Sequence, residues 1–154
     1  MLTLLLPADI CDRIKTGLHK ARHREIGGIL MAEHVGVDTF SVTDLTLHRR
    51  GTIASFVRRI EEALASLDDF FHRTRHDYTK FNYIGEWHSH PCFAPEPSPK
   101  DDSSMREIVG DAAIGANFAV LLIVKLNADG VLLTSLHAYL PNGDKIPASL
   151  RLVE

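Results

Sequence analysis

Apolar residues recur at steps of three and four positions in two stretches of the chain, which is the spacing of an amphipathic helix. The first stretch is residues 7–22, and the second begins at about Ile60. A third helix is predicted from Ser98, because serine is a favourable N-cap and Pro99 suits the first helical position. The apolar positions of the first two helices are Ile10, Ile14, Leu18 and Ala21, then Ile60, Ala63, Leu64, Leu67 and Phe71.

Other segments have the shorter period or the continuous apolar run that predicts a β-strand. Residues 25–34 and 37–48 form a hairpin or meander that turns near Val35 and Gly36. Residues 52–59, TIASFVRR, are a further short strand candidate.

Three more strands are predicted in the second half of the chain. Residues 81–90 end at Pro91, since proline cannot donate to a strand ladder. Residues 117–126 are almost continuously apolar, which is typical of a strand that is buried on both faces. The turn NADG then leads into the returning strand, residues 131–140.

With a short first strand at the N-terminus, the elements follow the order β, α, β, β, β, α, β, α, β, β. This order favours an α/β or α+β sandwich, with a mixed sheet flanked by helices. The 154 residues correspond to one domain, residues 1–154, because no repeat or linker divides them.

Composition and charge exclude some classes of protein. The formal net charge of -3 gives no general electrostatic reason to bind nucleic acid or an anionic membrane. Apolar runs are shorter than the roughly 18 residues that a membrane span requires. Cys11 and Cys92 do not form a disulfide framework, and the N-terminus lacks the charged start of a signal peptide. We therefore expect a cytoplasmic protein.

Candidate chemistry is concentrated in HSHPCFAPEPSPKD, residues 88–101. His88 and His90 are two positions apart on a predicted strand, so both side chains leave the same face. Asp101 lies in the first turn of the next helix, which can fold back over the end of that strand. Two imidazoles and one carboxylate are a three-ligand zinc set that leaves a fourth position for water. Ser98 and Asp101 can also form a capping box, and the two roles do not exclude each other.

The segment resembles the motif of the JAB/JAMM (MPN-plus) metalloproteases, with every fixed position and both spacings present. EIGGIL, which starts at Glu25, is similar to the Glu-x-Gly-Gly-x-Leu context of that family. Residues 56–91 look like the helix-to-strand passage that precedes the metal histidines in bacterial members. The resemblance implies a JAB/MPN-like mixed β-sheet flanked by helices, with a cytidine-deaminase-like architecture.

The resemblance also implies a role for each motif residue. His88, His90 and Asp101 would bind one zinc ion, Glu25 would be the general base, and Ser98 would stabilise the oxyanion. Zinc lowers the pKa of a bound water to about 7, and a carboxylate can take the proton from that water and return it to the leaving amine. The implied reaction is hydrolysis of an amide or isopeptide bond without a covalent intermediate.

Two neighbouring residues have open roles. Glu86 shares the predicted face of the metal histidines, where it either holds a ligand imidazole or is a solvated strand carboxylate. Cys92 either modulates the site by oxidation or is a spare small side chain.

Two other classes of protein are alternatives. A zinc-dependent nucleoside deaminase would match His23-x-Glu25 and Pro91-Cys92, but Pro95 stands where its second cysteine is required. A non-catalytic MPN scaffold keeps the fold and loses the ligands, whereas this chain retains all five chemical positions.

For the substrate, the resemblance implies a ubiquitin-like protein, cut after its C-terminal glycine as a precursor or as a conjugate. The compact chain looks like bacterial JAB proteins that act beside E1- and E2-like enzymes, some of them in antiphage systems that conjugate a nucleotidyltransferase. The alternative is a peptidase that processes a sulfur-carrier protein.

Overall fold

The computed structural model describes the backbone of residues 1–49 and 53–154 and the side chains of residues 1–49 and 62–154. Within these ranges the chain forms nine strands and three helices. In chain order they are β1 (Thr3–Pro7), α1 (Ala8–Ala21), β2 (Ile26–Gly36), β3 (Thr39–Leu45), β4 (His48–Arg49), α2 (Ile53–Arg73), β5 (Phe81–Ser89), α3 (Pro99–Gly110), β6 (Ala119–Leu126), β7 (Leu132–Tyr139), β8 (Lys145–Pro147) and β9 (Ser149–Val153).

The strands form one mixed sheet, with the order β8-β7-β6-β5-β2-β3-β1-β9 and with β4 paired to β2. The two central pairs differ in direction, since β5 runs antiparallel to β2 and parallel to β6. A parallel pair requires a crossover connection, and α3 lies within the one that joins β5 to β6. The mixed sheet flanked by helices is therefore confirmed.

Two apolar cores lie on opposite faces of this sheet. On one face α1 covers the larger core, where Trp87 is fully buried and its indole Nε1 donates to the Thr46 carbonyl over 2.9 Å. On the other face Met105 and Val109 of α3 pack with alternate residues of β6, among them Leu121. Because side chains alternate along a strand, the neighbours of Trp87 in β5 emerge on the α3 face.

The predicted strand at residues 52–59 is wrong, because α2 already begins at Ile53. Apolar residues at positions 53, 56, 57 and 60 continue the three-to-four-residue step of the helix. Their β-branched and aromatic character favours a strand only when that period is ignored. Thr52 and the side chains of this segment lie outside the described residues.

The prediction also missed the last two strands, β8 and β9. Both are short, and β9 pairs in parallel with β1 at the far end of the sequence. A short strand whose partner is so distant leaves little local signal.

Candidate metal centre

The two histidines of the motif lie at the end of β5, on the face that α3 covers in part. His88 pairs with Gly27 of β2 and with Ile123 of β6, so its backbone is fixed from both sides. His90 follows the last residue of β5 and donates its backbone N–H to the Val124 carbonyl over 3.0 Å. Both side chains are nearly fully buried, at 3% and 2% relative exposure. They therefore project from a rigid part of the sheet.

Ser89, between the two histidines, faces the opposite side and fastens β5 to the start of β2. Its Oγ accepts a hydrogen bond from the Ile26 backbone N–H over 3.1 Å, and the side chain is fully buried. Such a bond satisfies a buried donor that would otherwise be costly. The alternation His-Ser-His thus directs two imidazoles to one face and anchors the strand on the other.

Gly27 allows β2 to pass close to His88. A Cβ on Gly27 would lie 2.5 Å from the Trp87 carbonyl oxygen and 2.7 Å from the His88 Cβ. Any side chain there would push the two strands apart, because one of the clashing atoms belongs to the backbone. The first of the paired glycines in EIGGIL is thus required by the close approach of His88.

Asp101 comes from the first turn of α3, which begins as the sequence predicts. Ser98 is the N-cap, Pro99 is the first helical residue, and the Ser98 Oγ accepts from the Asp101 backbone N–H over 3.2 Å. In return the Asp101 Oδ2 accepts from the Ser98 backbone N–H over 2.9 Å. The capping box therefore also sets the direction of the Asp101 carboxylate.

The three predicted ligands meet above the end of β5. The His88 Nε2 lies 3.2 Å from the Asp101 Oδ1, and the His90 Nε2 lies 3.3 Å from the Asp101 Oδ2. One ligand atom from each residue lies within 4.8 Å of the other two. Among the residues whose side chains are described, no other group of three or more histidine, cysteine, aspartate or glutamate side chains meets this spacing.

These residues fit a zinc ion. The His90 Nδ1 lies 2.9 Å from the Ala94 carbonyl oxygen, which can only accept, so Nδ1 carries the hydrogen. The Nε2 lone pair of His90 is then directed at Asp101 and is available to a metal, as in protein zinc sites where the second ring nitrogen donates to a carbonyl. Two imidazole nitrogens and one carboxylate oxygen leave one of four tetrahedral positions open.

The surroundings of Asp101 keep its carboxylate ionised. Burial acts to raise its pKa, but hydrogen bonds from His88 and Ser98 and the charge of His88 outweigh burial and hold the pKa well below its usual range. An ionised carboxylate is the form that ligates a metal.

Glu25 precedes β2 by one residue and is half-buried. The register pairs Gly27 with His88 and Gly28 with Trp87, so continuing it by two residues places Glu25 opposite His90. Residues that pair directly across an antiparallel ladder share a face. Glu25 itself lies outside this ladder, which ends at Gly27, and it is not one of the group of three.

Glu86 lies one row further along the same face, between Ile29 of β2 and Leu121 of β6. It is half-buried, and its negative charge adds to burial in raising the pKa of Tyr83 above its usual range. Cys92 is a free, exposed thiol, and His23 is also exposed. The group of three thus excludes the residues that a nucleoside deaminase would need.

One network near the site was missed by the sequence analysis. Asp102, next to the predicted ligand, accepts hydrogen bonds from Tyr139 and Lys145. The only local signal is the pair of aspartates in the first turn of α3, since the two donors are 37 and 43 residues away.

Fold and site together define a JAB-type domain, a mixed sheet that presents a two-histidine, one-aspartate group at the end of a central strand. The family model described as prokaryotic homologs of the JAB domain matches residues 7–136, and the chain belongs to this family.

A relative named CD-NTase/cGAS isopeptidase, from Enterobacter hormaechei subsp. hoffmannii (strain UCI 50), is 28% identical over 154 residues. The match covers 99% of this chain and 81% of the relative. The solution structure of protein DSY2949 from Desulfitobacterium hafniense is similar in fold, with a TM-score of 0.63 at 16% identity. That likeness covers 97% of this chain and 94% of the other.

In the described part of the chain, no helix combines the length and the apolar character needed to cross a membrane.

Proposed function

We propose that the protein is a zinc-dependent isopeptidase or peptidase that cuts after the C-terminal glycine of a ubiquitin-like protein or of its conjugate. The observation that carries this proposal is the meeting of His88, His90 and Asp101 in one group, with Ser98, the N-cap of α3, beside Asp101. A non-catalytic scaffold would not need three side chains that can ligate a metal within reach of one ion.

Each residue has a defined task in the proposed reaction. When bound at this centre, zinc supplies Lewis-acid activation of a water molecule and of the scissile carbonyl. Glu25 takes a proton from the attacking water and delivers it to the leaving amine. The Ser98 Oγ accepts from the Asp101 backbone N–H, which leaves its own hydrogen free to donate to the carbonyl oxygen as negative charge develops there.

The class of substrate is proposed from the family and from the relative's name. An isopeptidase separates a carrier protein from a lysine, and the relative's name joins that activity to a CD-NTase. We therefore favour, as the substrate, a conjugate made by E1- and E2-like enzymes in an antiphage system. In this conjugate the ubiquitin-like protein is attached to a nucleotidyltransferase. Such conjugation takes place in the cytoplasm, where both free cysteines, Cys11 and Cys92, would stay reduced.

The test is cleavage of two matched substrates. A ubiquitin-like protein ending in Gly-Gly, encoded beside this chain, is joined to a short peptide tail and, separately, to a lysine side chain. The zinc-loaded protein should cut at least one of these two substrates after the terminal glycine, and a chelator should abolish the cleavage. Faster cleavage at lysine indicates deconjugation, while faster cleavage of the tail indicates the alternative, processing of a precursor such as a sulfur carrier.

Two variants make the test specific. Glu25→Gln should lower kcat by about 10²–10⁴-fold, the usual contribution of a general base, without changing the zinc content. Glu33→Gln, further along β2 and paired with Lys80, should cleave as the wild type does. If zinc is bound and neither substrate is cut, the result speaks against this substrate class and favours the scaffold alternative.

A further inference from the structure

The residue that follows Asp101 is held by two donors from the other side of α3. The Tyr139 hydroxyl donates to the Asp102 Oδ1 over 2.6 Å. The Lys145 Nζ lies 3.1 Å from the same oxygen and 3.3 Å from the Asp102 Oδ2. Both oxygens of the carboxylate are therefore engaged, and we call Asp102, Tyr139 and Lys145 the Asp102 clamp.

The two donors of the clamp are neighbours on one hairpin. Tyr139 is the last residue of β7, Lys145 is the first residue of β8, and the strand register pairs them directly. Tyr139 is fully buried in the smaller core, where it packs with Met105 and Val109 of α3. Its phenol oxygen is thus held in place by the core and is aimed at the first turn of the helix.

The geometry of a helix links the clamp to the metal group. Successive residues of an α-helix are rotated by about 100° around its axis, because one turn takes 3.6 residues. With Asp102 fixed against β7 and β8, Asp101 is directed to a different side, where it meets His88 and His90 at the end of β5. A small rotation of α3 would move the Asp101 carboxylate away from both imidazoles.

The following turn of the helix has its own contact with the same hairpin. The Arg106 Nε donates to the Gly143 carbonyl over 3.3 Å, in the turn that joins β7 to β8. Arg106 lies one turn beyond Asp102, so this bond holds the body of α3 without touching the turn that carries Asp101. The positive charge of Arg106 also lowers the pKa of Asp102, so a comparison with the clamp must remove this bond and keep the charge.

We propose that Tyr139 and Lys145 are positioning residues of the metal centre, which hold Asp102 and thereby set the direction of the Asp101 carboxylate. This inference rests on the metal centre of the proposed function. The competing account is that the clamp only stabilises the fold. Exposed ion pairs contribute little to stability. The side chains of Lys145 and Asp102 are only 27% and 21% exposed, and Asp102 also accepts from the buried Tyr139 hydroxyl, so the effect of the clamp on stability must be measured separately.

The experiment measures zinc affinity separately from stability. Tyr139→Phe removes one hydroxyl and keeps the buried ring, and Lys145→Met keeps most of the length of the side chain without its charge. We expect each variant to bind zinc about tenfold or more weakly, the lower end of the loss seen when an outer partner of a metal site is removed. Affinity is measured by competition with a chromophoric chelator, and the visible spectrum of the cobalt-substituted protein should change with it.

Two control variants separate positioning from folding. Tyr78→Phe removes an exposed hydroxyl that contacts His76, and it should leave zinc affinity unchanged. Arg106→Lys removes the Nε bond to Gly143 and keeps the positive charge near Asp102, so zinc affinity should stay within about twofold of the wild type. Because Lys145 is partly exposed, Lys145→Met still tests the inference if Tyr139→Phe does not fold.

The outcomes are distinct. Wild-type zinc affinity and an unchanged cobalt spectrum in Tyr139→Phe or Lys145→Met would overturn the inference while leaving the proposed function intact. Equal losses of affinity in Arg106→Lys and in the clamp variants would assign the clamp to general stability. A wild-type protein that binds no zinc would overturn the metal centre, and the positioning role with it.

Discussion

Ser98 has one observed and one proposed hydrogen-bonding role at the start of α3. Its Oγ accepts from the Asp101 backbone N–H, which caps the helix, and its hydrogen remains available for a substrate carbonyl. The two tasks can be separated by mutation, because glycine at an N-cap costs only a few tenths of a kcal/mol relative to serine, whereas alanine costs about 1 kcal/mol.

At the scale of this residue we predict that Ser98→Ala and Ser98→Gly both lower kcat by about 10²–10³-fold, the effect of losing one oxyanion donor. Only Ser98→Ala should also lower the free energy of unfolding by about 1 kcal/mol. Steady-state kinetics and urea unfolding of the two variants check this. If kcat falls in Ser98→Ala and is retained in Ser98→Gly, the side chain acts as a cap alone.

The residues of the motif show how much of the candidate site can be predicted from the sequence. His88, His90 and Asp101 were predicted from two short spacings, and the structure brings their ligand atoms together. Strand alternation and the capping box are local rules, so they can be applied without knowledge of the fold. Tyr139 and Lys145 could not be predicted in this way, because their contact with Asp102 depends on how α3 packs against β7 and β8.

Among the elements, the contact between β2 and β5 determines the position of the candidate site. The register of this pair places Gly27 beside His88, and the space for a side chain at residue 27 is already filled. The strand β2 therefore depends on a glycine for its close approach to β5 beside His88.

We predict that Gly27→Ala lowers the free energy of unfolding by about 1–3 kcal/mol, as overpacking of a tight site does. It should also weaken zinc binding, because the backbone beside His88 must move. Gly110→Ala is the matched control, since a Cβ at the end of α3 would have no neighbour within 4 Å. Urea unfolding and zinc competition measure both effects; a Gly27→Ala protein as stable as the wild type would show that the two strands have room to separate.

The elements also show where sequence patterns were insufficient. The helix α1 and strands β5, β6 and β7 were predicted because each has a clear period or run. The predicted start of α2 was wrong, because the β-branched residues near its N-terminus favour a strand when the helical spacing is ignored. For β8 and β9 the determining factor is their pairing with β7 and β1, and pairing over such sequence distances is not encoded locally.

At the scale of the whole molecule, the fold brings together three segments that are far apart in the sequence. The histidines come from the end of β5 and Asp101 from the first turn of α3, and the start of β2, which Glu25 precedes, lies beside β5. Each segment is fastened by its own contacts: the register with β5, the bond between Ser89 and Ile26, and the capping box. Metal binding and cleavage should therefore depend on each other in one assembled site.

The most direct test is a titration of zinc into the metal-free protein while cleavage after the terminal glycine of the ubiquitin-like fusion is followed. We predict that the rate rises linearly and stops rising at one equivalent of zinc. With Asp101→Asn, which removes the anionic ligand, no such rise should occur. Cleavage at an undiminished rate without metal, or a full equivalent of bound zinc with no cleavage of either substrate, would contradict the assignment of His88, His90 and Asp101 to a catalytic zinc site.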